Sequence, residues 1–383
     1  MAEPGPPVTI NELINLTNVG IPADQVTWCR VTLTSDRWIA VRHGKKKEEA
    51  DKSTVTVFSL KDGSISYAGQ TSADSVIMNP QEPIIALKCG CTCMSEQRFE
   101  IFNVESKLLL TKTKIDEPVT YWTWLSSEII AIITDTTVYH WHLFKTKDSQ
   151  PEKIFSRHSR LAFSEIISYK ADASLRWFAI TGLTPEEDKI SGLTQLYNAD
   201  EDITQCITCH AVCFDTYKFA GNNQPSTVFC VGSRDIHNHG KIHVIELGPY
   251  KQGNFAPRNT YDHIHFEEDM EHYDFPVALH VSIEYGLLFL LTKYGYLYLC
   301  DMETSTCVCS TKVSKDIIFT SALNSDTHGI IGVTRNGQVL TVDIKKETLI
   351  NYVRDTAKKG NQADRLERAI ITINEPGGSR EMP

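Results

Sequence analysis

The segments Leu287-Leu288-Phe289-Leu290 and Thr292-Lys293-Tyr294-Gly295 recur along the chain as Ile330-Ile331-Gly332-Val333 and Thr334-Arg335-Asn336-Gly337. The two Thr-to-Gly segments lie 42 residues apart. Each unit is an apolar run, a turn with glycine, and a second run that ends apolar–polar–apolar, as in Val342-Asp343-Ile344. Strand-like runs on either side of a turn predict paired β-strands in each unit.

The same unit occurs seven times. Its first run, usually built around a small residue, lies at residues 38–41, 84–87, 129–132, 177–180, 228–231, 287–290 and 330–333. Its second run ends at residues 58–60, 102–104, 141–143, 197–199, 245–247, 300–302 and 342–344. A repeat of about 40–55 residues with several short strands is typical of β-propeller blades. We therefore predict an all-β fold, a seven-bladed β-propeller.

The two ends of the chain have different roles in this prediction. Residues 8–16 alternate in polarity, so they can pair with the last blade and close the ring, which removes exposed sheet edges. From about Thr348 the apolar spacing becomes helical, with an interruption near Gly360-Asn361. The predicted division is a propeller over residues 1–347, the start of an α-helical linker over 348–374, and a disordered tail over 375–383.

Composition excludes several classes of function. The net charge of −10 argues against nucleic-acid binding, which needs basic surface. No apolar run approaches the ~20 residues that cross a bilayer, and the N-terminal sequence has no signal-peptide pattern. Eleven cysteines, an odd number, lie mostly in strand-like segments, which favours free thiols in a reducing cytosol. We expect a cytoplasmic protein.

Three groups of residues resemble metal or haem ligands. Cys206-Ile207-Thr208-Cys209-His210 has the spacing of a haem-attachment motif, and with Cys213 it could instead bind zinc. The other groups are Cys89, Cys91 and Cys93, and a histidine-rich region with His237, His239, His243, His263, His265 and His272 beside Glu267, Glu268 and Asp269. Because a strand points neighbouring side chains to opposite faces, we interpret these groups as packing or polar loops. Without a phosphate loop, nucleophile elbow or HExxH helix, we expect no enzyme, metal or cofactor.

Several ordered runs resemble one protein family closely. They include residues 72–80 (Ser-Ala-Asp-Ser-Val-Ile-Met-Asn-Pro), 84–88, 102–105, 138–141, 157–159, 274–278, 292–296, 329–333 and 337–340. Together they resemble the N-terminal propeller of the clathrin heavy chain over about residues 8–370. The helical end is similar to the start of the linker that leads into the clathrin leg.

The resemblance implies a non-enzymatic binding hub. The family's propeller binds short linear motifs of adaptor and accessory proteins, so that membrane-bound adaptors recruit the coat for endocytosis and vesicle transport. Contact with membrane would be indirect, and a longer chain would also assemble with the heavy-chain trimer and the light chain. Because several groove residues differ from the family, a second hypothesis is a diverged stand-alone propeller scaffold without coat function.

The family's principal peptide groove, between the first two blades, implies specific positions in this chain. Val57, Ile85 and Phe102 match its apolar wall and Lys107 its acid-binding lysine, although Val57 and Ile85 could equally be blade core. Several positions depart from the family.

Gly69 stands where the family has arginine, Glu100 where it has glutamine, and Leu109 where it has a second lysine. Inserted residues near 91–97 precede Arg98, which replaces a threonine. Loss of an arginine and gain of a glutamate should weaken capture of acidic peptides, and Arg98 could compensate.

Two further sites follow from the resemblance. The family's central cavity, which takes tryptophan-bearing peptides, corresponds to Trp28, Glu165, Ile167 and Leu183. The groove between the fourth and fifth blades corresponds to Glu201, in place of arginine, and Gln205, and this charge reversal puts the groove in doubt. Glu12 matches a fourth region of the family.

Overall fold

A computed structural model describes residues 5–44, 53–90, 96–145, 149–187, 189–235, 237, 239–247, 257–266 and 273–374 of the chain. Within these residues, 28 strands form seven four-stranded sheets. The first strand is β1 (Val8–Asn15). Blades 1 to 3 then comprise β2 (Val31–Leu33), β3 (Trp38–His43), β4 (Ser53–Ser59) and β5 (Ile65–Thr71); β6 (Ser75–Met78), β7 (Ile84–Cys89), β8 (Gln97–Asn103) and β9 (Leu108–Ile115); and β10 (Val119–Trp124), β11 (Ile129–Thr134), β12 (Thr137–His142) and β13 (Glu152–Ser156).

The remaining blades repeat this order. Blades 4 to 6 comprise β14 (Glu165–Ala171), β15 (Trp177–Pro185), β16 (Ile190–Asn198) and β17 (Ile203–Thr208); β18 (Ala211–Tyr217), β19 (Ser226–Arg234), β20 (His239–Glu246) and β21 (Asn259–His265); and β22 (Pro276–Ser282), β23 (Leu287–Thr292), β24 (Tyr296–Asp301) and β25 (Cys307–Lys312). Blade 7 contains β26 (Ile318–Leu323), β27 (Ile330–Thr334) and β28 (Gln338–Ile344), with β1 as its fourth strand. The prediction of a seven-bladed, all-β propeller is confirmed.

The ring closes by pairing the two ends of the propeller. β1 runs antiparallel to β28, from Val8 opposite Ile344 to Asn15 opposite Gln338. Leu16, one residue beyond the strand, is 0% exposed. Pairing of the predicted N-terminal strand with the last blade is therefore confirmed, and β28 has no open edge.

Glycine is required at the tight turns that the repeat pattern predicts. Gly63, Gly295 and Gly337 have φ of +70°, +79° and +93°. A residue with a side chain is strained in this region, whereas glycine is not. These turns reverse the chain between neighbouring strands of blades 1, 6 and 7.

The small residue in the first run of each unit is explained by packing between blades. Ala86, Ala131 and Ala179 are each 0% exposed. The strand β11 is buried along its whole length, as expected for a strand that is covered on both faces. A small side chain therefore leaves room for the large apolar side chains of the adjacent blade.

The C-terminal helices pack on the propeller. α1 (Lys346–Asn351) continues into a π-helical turn (Tyr352–Thr356), and α2 (Gly360–Asn374) follows a short break. Leu349, Val353, Ala363 and Leu366 are buried in the same apolar cluster as side chains of blades 6 and 7. The division of the chain at residue 347 remains a prediction, and the predicted tail at 375–383 lies outside the described residues.

No helix among the described residues is both long enough and apolar enough to cross a membrane.

Candidate functional site

Three of the six residues predicted for the principal groove lie on one face of β8, at the cleft between blades 1 and 2. Arg98, Glu100 and Phe102 alternate along β8, so their side chains share one face. The half-buried Phe102 packs against the apolar cluster between blades 1 and 2. This face of β8 therefore looks toward blade 1.

Tyr67 of β5 completes the wall of this cleft from the side of blade 1. Its ring lies 6.0 Å from the ring of Phe102, centroid to centroid, at an interplanar angle of 52°. Both rings are partly exposed, and tilted aromatic pairs at this separation attract each other. The sequence analysis missed Tyr67, although its position two residues before Gly69 on an outer strand could have indicated it.

Two residues predicted for the wall lie behind it. Val57 and Ile85 are 0% and 2% exposed and belong to the buried cluster between the blades. They support Phe102 from the core and do not reach the surface of the cleft. The alternative interpretation of these two side chains as blade core is the one that the structure favours.

The phenol of Tyr67 fills the space beside Gly69. A Cβ atom built on Gly69 would lie 2.6 Å from Cζ of Tyr67 and would overlap its hydroxyl. A larger side chain at position 69 therefore requires the Tyr67 ring to move away from Phe102. By the family resemblance, an arginine would stand at position 69. Here the residue is glycine, and the aromatic ring of Tyr67 forms this edge of the cleft in place of a cation.

The next strand, β9, contributes both apolar and basic side chains to the same face. Leu109 lies opposite Phe102, and Lys112 lies opposite Glu100. A bulge between Ile101 and Phe102 allows Leu109 and Lys112 to share one face despite their odd spacing. Lys112 was not predicted, because the bulge that turns it toward the cleft has no signal in the residue pattern.

Free cations outnumber the acidic group around the cleft. Among the described residues, Arg98, Lys107 and Lys112 form no ion pair, whereas Lys114 pairs with Glu96 at 3.0 Å. Lys107 lies at the tip of the β8–β9 hairpin with φ of +56° and is exposed. Against these three cations stand the carboxylates of Glu100 and of Glu105, which lies in the same turn as Lys107, so cations still outnumber carboxylates here and favour an acidic ligand. Five of the inserted residues, 91–95, lie outside the described residues.

β9 begins with three exposed leucines, of which Leu109 lies opposite Phe102 on the cleft face. Leu108, Leu109 and Leu110 are 60%, 51% and 41% exposed. Contiguous exposed apolar side chains beside a cleft are typical of interaction surfaces. The cleft thus joins a partly exposed aromatic pair, a leucine edge and unpaired cations.

The central channel of the propeller is a second candidate site. It encloses about 560 Å³ and is lined by the first strands of several blades, including Ile167 and Tyr121. Trp28 stacks on Tyr121 at 6.5 Å with an interplanar angle of 17°, and it is 45% exposed. Glu165 and Leu183 lie opposite each other on β14 and β15, near the start of the channel-lining strand.

The interior of the channel contains titratable side chains. Lys170, Asp215 and His280 line it. Burial lowers the pKa of Lys170, raises that of Asp215 to about 6, and, together with the charge of Lys170, lowers that of His280 to about 3. The neutral imidazole of His280 hydrogen-bonds to Ser321 Oγ at 2.8 Å.

Of the two residues predicted for the blade 4–5 groove, only Gln205 lies on a strand that lines it. The neighbouring residue Ile207 of the same strand, β17, packs with side chains of blade 5. The Gln205 Oε1 atom is buried and accepts no hydrogen bond among the described residues. Glu201 lies in the preceding turn, where its backbone N–H donates to Asn198 Oδ1 at 2.9 Å, and its side chain is exposed.

Glu12, which matches a fourth region of the family, is held on the last blade. Its Oε2 atom accepts a hydrogen bond from Gln338 Nε2 at 2.6 Å across the β1–β28 pair.

In the haem-like motif, the side chains of Cys209 and His210 make hydrogen bonds to neighbouring strands. His210 Nε2 contacts the carbonyl oxygen of Ile190 at 2.8 Å, and its Nδ1 accepts from the backbone N–H of Arg234 at 3.2 Å. The buried Cys209 thiol donates to Thr194 Oγ1 at 3.0 Å. The described part of the chain contains no group of three His, Cys, Asp or Glu side chains that could hold a metal ion.

Several of the candidate metal ligands are not among the residues that the structure describes. Cys91, Cys93, His272 and the acidic residues 267–269 lie outside the described residues.

The architecture defines the class of protein: a seven-bladed β-propeller whose blades are separated by clefts with partly exposed aromatic and basic side chains. No family model matches the chain. Among solved structures, a chain of the crystal structure of the mitotic checkpoint complex covers 88% of this chain and 91% of its own length, with a TM-score of 0.56 and 14% sequence identity. That likeness concerns the fold alone.

Comparison with curated proteins gives the family. The clathrin heavy chain of Drosophila melanogaster is 36% identical over 360 residues, which is 94% of this chain. Clathrin heavy chain 2 of Homo sapiens and the clathrin heavy chain of Dictyostelium discoideum are each 34% identical, over 94% and 91% of this chain. The chain is thus a homologue of the clathrin heavy chains, and its propeller is consistent with their N-terminal domain. It spans about a fifth (20–21%) of the length of these relatives.

Proposed function

We propose that this propeller binds short, extended, acidic peptide motifs in the cleft between blades 1 and 2. The observation that carries the proposal is the Tyr67–Phe102 aromatic pair with three unpaired cations, Arg98, Lys107 and Lys112, around it. An extended peptide places alternate side chains on opposite sides. Its apolar residues would contact the aromatic pair and Leu109, and its acidic end would contact the cations.

The motifs would belong to adaptor and accessory proteins of clathrin coats in the cytoplasm. Homology to clathrin heavy chains supports a role as a coat component in endocytosis and vesicle transport. A single small cleft gives weak binding, so recruitment would depend on several motifs engaging several propellers at once. In a longer chain, the partners would also include the heavy-chain trimer and the light chain, and membranes would be reached through adaptors.

The central channel is the second site in this proposal. The exposed Trp28, stacked on Tyr121, would receive apolar or aromatic side chains, and Ile167 and Leu183 would extend that surface. Glu165 would favour a neutral or basic ligand there. Glu201 gives the blade 4–5 groove an acidic edge, so we propose only a minor role for it and Gln205.

The test is a titration with a fluorescent peptide of the form Leu-apolar-x-apolar-acid. We expect saturable micromolar binding that Phe102→Ala weakens by more than about 1 kcal/mol, because a buried aromatic anchor is lost. Lys107→Glu should also weaken binding, and more strongly at low salt. Phe144→Ala is the matched control, since Phe144 is 53% exposed in a turn of blade 3, outside the cleft between blades 1 and 2.

Equal effects of the Phe102 and Phe144 substitutions would move the site away from this cleft. Absence of binding to the folded protein would favour the alternative, a diverged propeller scaffold without coat function. The phenol over Gly69 and the exchange to Glu100 are the features that favour that alternative.

A further inference from the structure

Two cysteines face each other in the blade that supports the C-terminal helices. Cys300 ends the run of apolar residues in β24, and Cys307 begins β25. The two residues are cross-strand partners, and the Cys307 thiol donates a hydrogen bond to the carbonyl oxygen of Cys309 at 3.3 Å. A bulge between Leu299 and Cys300 adjusts the register at this point.

The two thiols have different surroundings. Cys300 is 0% exposed, whereas Cys307 is half-buried at the strand end. Lys359, in the break before α2, donates a hydrogen bond from Nζ to the carbonyl oxygen of Cys307 at 2.7 Å. The ammonium group therefore lies beside the more accessible thiol.

The pKa values of the two thiols are shifted in opposite directions. The neighbouring Cys300 thiol and the charge of Lys359 hold the pKa of Cys307 below its usual range. Burial, with the Cys307 neighbour, raises the pKa of Cys300 well above its usual range. A thiolate is the nucleophile in thiol oxidation, so Cys307 would react first and Cys300 would follow.

We propose that Cys300 and Cys307 form a reversible thiol–disulfide site that responds to hydroperoxides. The Cys307 thiolate attacks a peroxide oxygen, the O–O bond breaks, and a sulfenic acid forms with release of water after protonation. The Cys300 thiol then attacks the sulfenic sulfur, an S–S bond forms, and the departing hydroxide takes the Cys300 proton as a second water. The two thiols lose two electrons in total and hydrogen peroxide is reduced to two waters; an external dithiol restores them.

A second cysteine pair provides an internal comparison. Cys213 and Cys230 are also cross-strand partners, on β18 and β19. They are 7% and 0% exposed, and the neighbouring Cys230 thiol and burial raise the pKa of Cys213 well above its usual range. Because both thiols are buried and the pKa of Cys213 is raised, this pair should react far more slowly with the same oxidant.

The experiment treats the intact protein with hydrogen peroxide, blocks remaining thiols with N-ethylmaleimide, and identifies linked peptides by mass spectrometry. We expect a Cys300–Cys307 disulfide that dithiothreitol reduces. Cys213 and Cys230 should stay as thiols and be detected as N-ethylmaleimide adducts. Lys359→Met should slow the reaction several-fold, and Lys359→Arg, which keeps the charge, should restore most of the rate.

Three results would overturn the proposal. The first is complete N-ethylmaleimide labelling of Cys300 and Cys307 after peroxide treatment. The second is irreversible oxidation of Cys307 while Cys300 stays reduced. The third is oxidation of the Cys213–Cys230 pair to the same extent as the Cys300–Cys307 pair. Circular dichroism of each variant separates loss of folding from loss of reactivity, and Cys307→Ser should leave Cys300 reduced in the folded protein.

Discussion

At the scale of single residues, the Tyr67 ring beside Gly69 shapes one edge of the blade 1–2 cleft. The phenol occupies the space that a side chain at position 69 would need. An arginine there therefore requires the Tyr67 ring to leave its present position. The cleft combines apolar contact at this end with cations on β8, β9 and their connecting turn.

The overlap between a side chain at position 69 and the Tyr67 ring predicts that substitutions at these two positions are not additive. Gly69→Arg alone should change the affinity for an acidic peptide little, because the arginine displaces the Tyr67 ring, so that an aromatic contact is lost as a charge-assisted contact is gained. Gly69→Arg added to Tyr67→Ala should strengthen binding relative to Tyr67→Ala alone, since a charge-assisted contact becomes available. Fluorescence anisotropy of the four proteins measures the coupling.

Tyr67→Phe is the matched control, because it keeps the ring over position 69. An equal gain from Gly69→Arg with and without Tyr67 would mean that the ring moves aside freely.

The same cleft illustrates what sequence can and cannot tell at this scale. Phe102 and Lys107 were placed at the surface of the cleft by resemblance, and the structure has Phe102 on that face. Val57 and Ile85 lie in the same inter-blade cluster but are covered by it. Exposure depends on the neighbouring blade, and Lys112 reaches the cleft only through a bulge, so neither could be read from the pattern of residues.

At the scale of elements, β1 is the strand that closes the ring. Leu16 is 0% exposed beneath it, whereas Ile10, on the same segment, is 41% exposed. Leu16→Ala should therefore lower the free energy of unfolding by about 2–5 kcal/mol, because it creates a buried cavity. Ile10→Ala should cost less than about 1 kcal/mol. Urea denaturation measures both, and equal losses would contradict closure through a buried seam.

The C-terminal helices provide a second prediction at this scale. Leu349 and Leu366 are 0% and 2% exposed in a cluster shared with blades 6 and 7. Removing residues 346–383 should therefore lower the denaturation midpoint of the propeller itself. An unchanged midpoint would mean that the helices do not stabilise the propeller.

The regular elements were predictable because they repeat. Seven copies of one pattern predict seven blades, and alternation in residues 8–16 predicts the closing strand. The interruption of the helices was expected near Gly360-Asn361, and the structure has it at residues 357–359, where Lys358 has φ of +57°. The π-helical turn before it has no known residue signature and could not be predicted.

At the scale of the whole molecule, buried histidines make stability depend on pH. The pKa of His140 is lowered to about 3 by burial, with a smaller effect of His142, and its imidazole hydrogen-bonds to the Tyr169 hydroxyl at 2.9 Å. In the unfolded chain a histidine takes up a proton near pH 6.5, which the folded protein does not. The free energy of unfolding should therefore fall from about pH 6.5 downward, by up to about 1.4 kcal/mol per pH unit from this group.

Other groups modify this dependence. Burial also lowers the pKa of His210, which adds to the loss of stability in acid. Burial raises the pKa of Asp215 to about 6, so that the folded protein keeps a proton that the unfolded chain loses, and this group partly offsets the loss between about pH 6 and 4. Urea denaturation at pH 7, 6 and 5 should show a shallower dependence for His140→Gln than for the wild type. Parallel curves would show that His140 does not contribute.

We propose that this clathrin heavy chain homologue binds linear motifs in the cleft between blades 1 and 2. The most direct measurement is a crystal structure of the propeller with a bound Leu-apolar-x-apolar-acid peptide. We expect an extended peptide between β5 and β8, with an apolar side chain on the Tyr67–Phe102 pair and its acidic end near Lys107 or Lys112. A peptide bound only in the central channel or between blades 4 and 5 would contradict the claim.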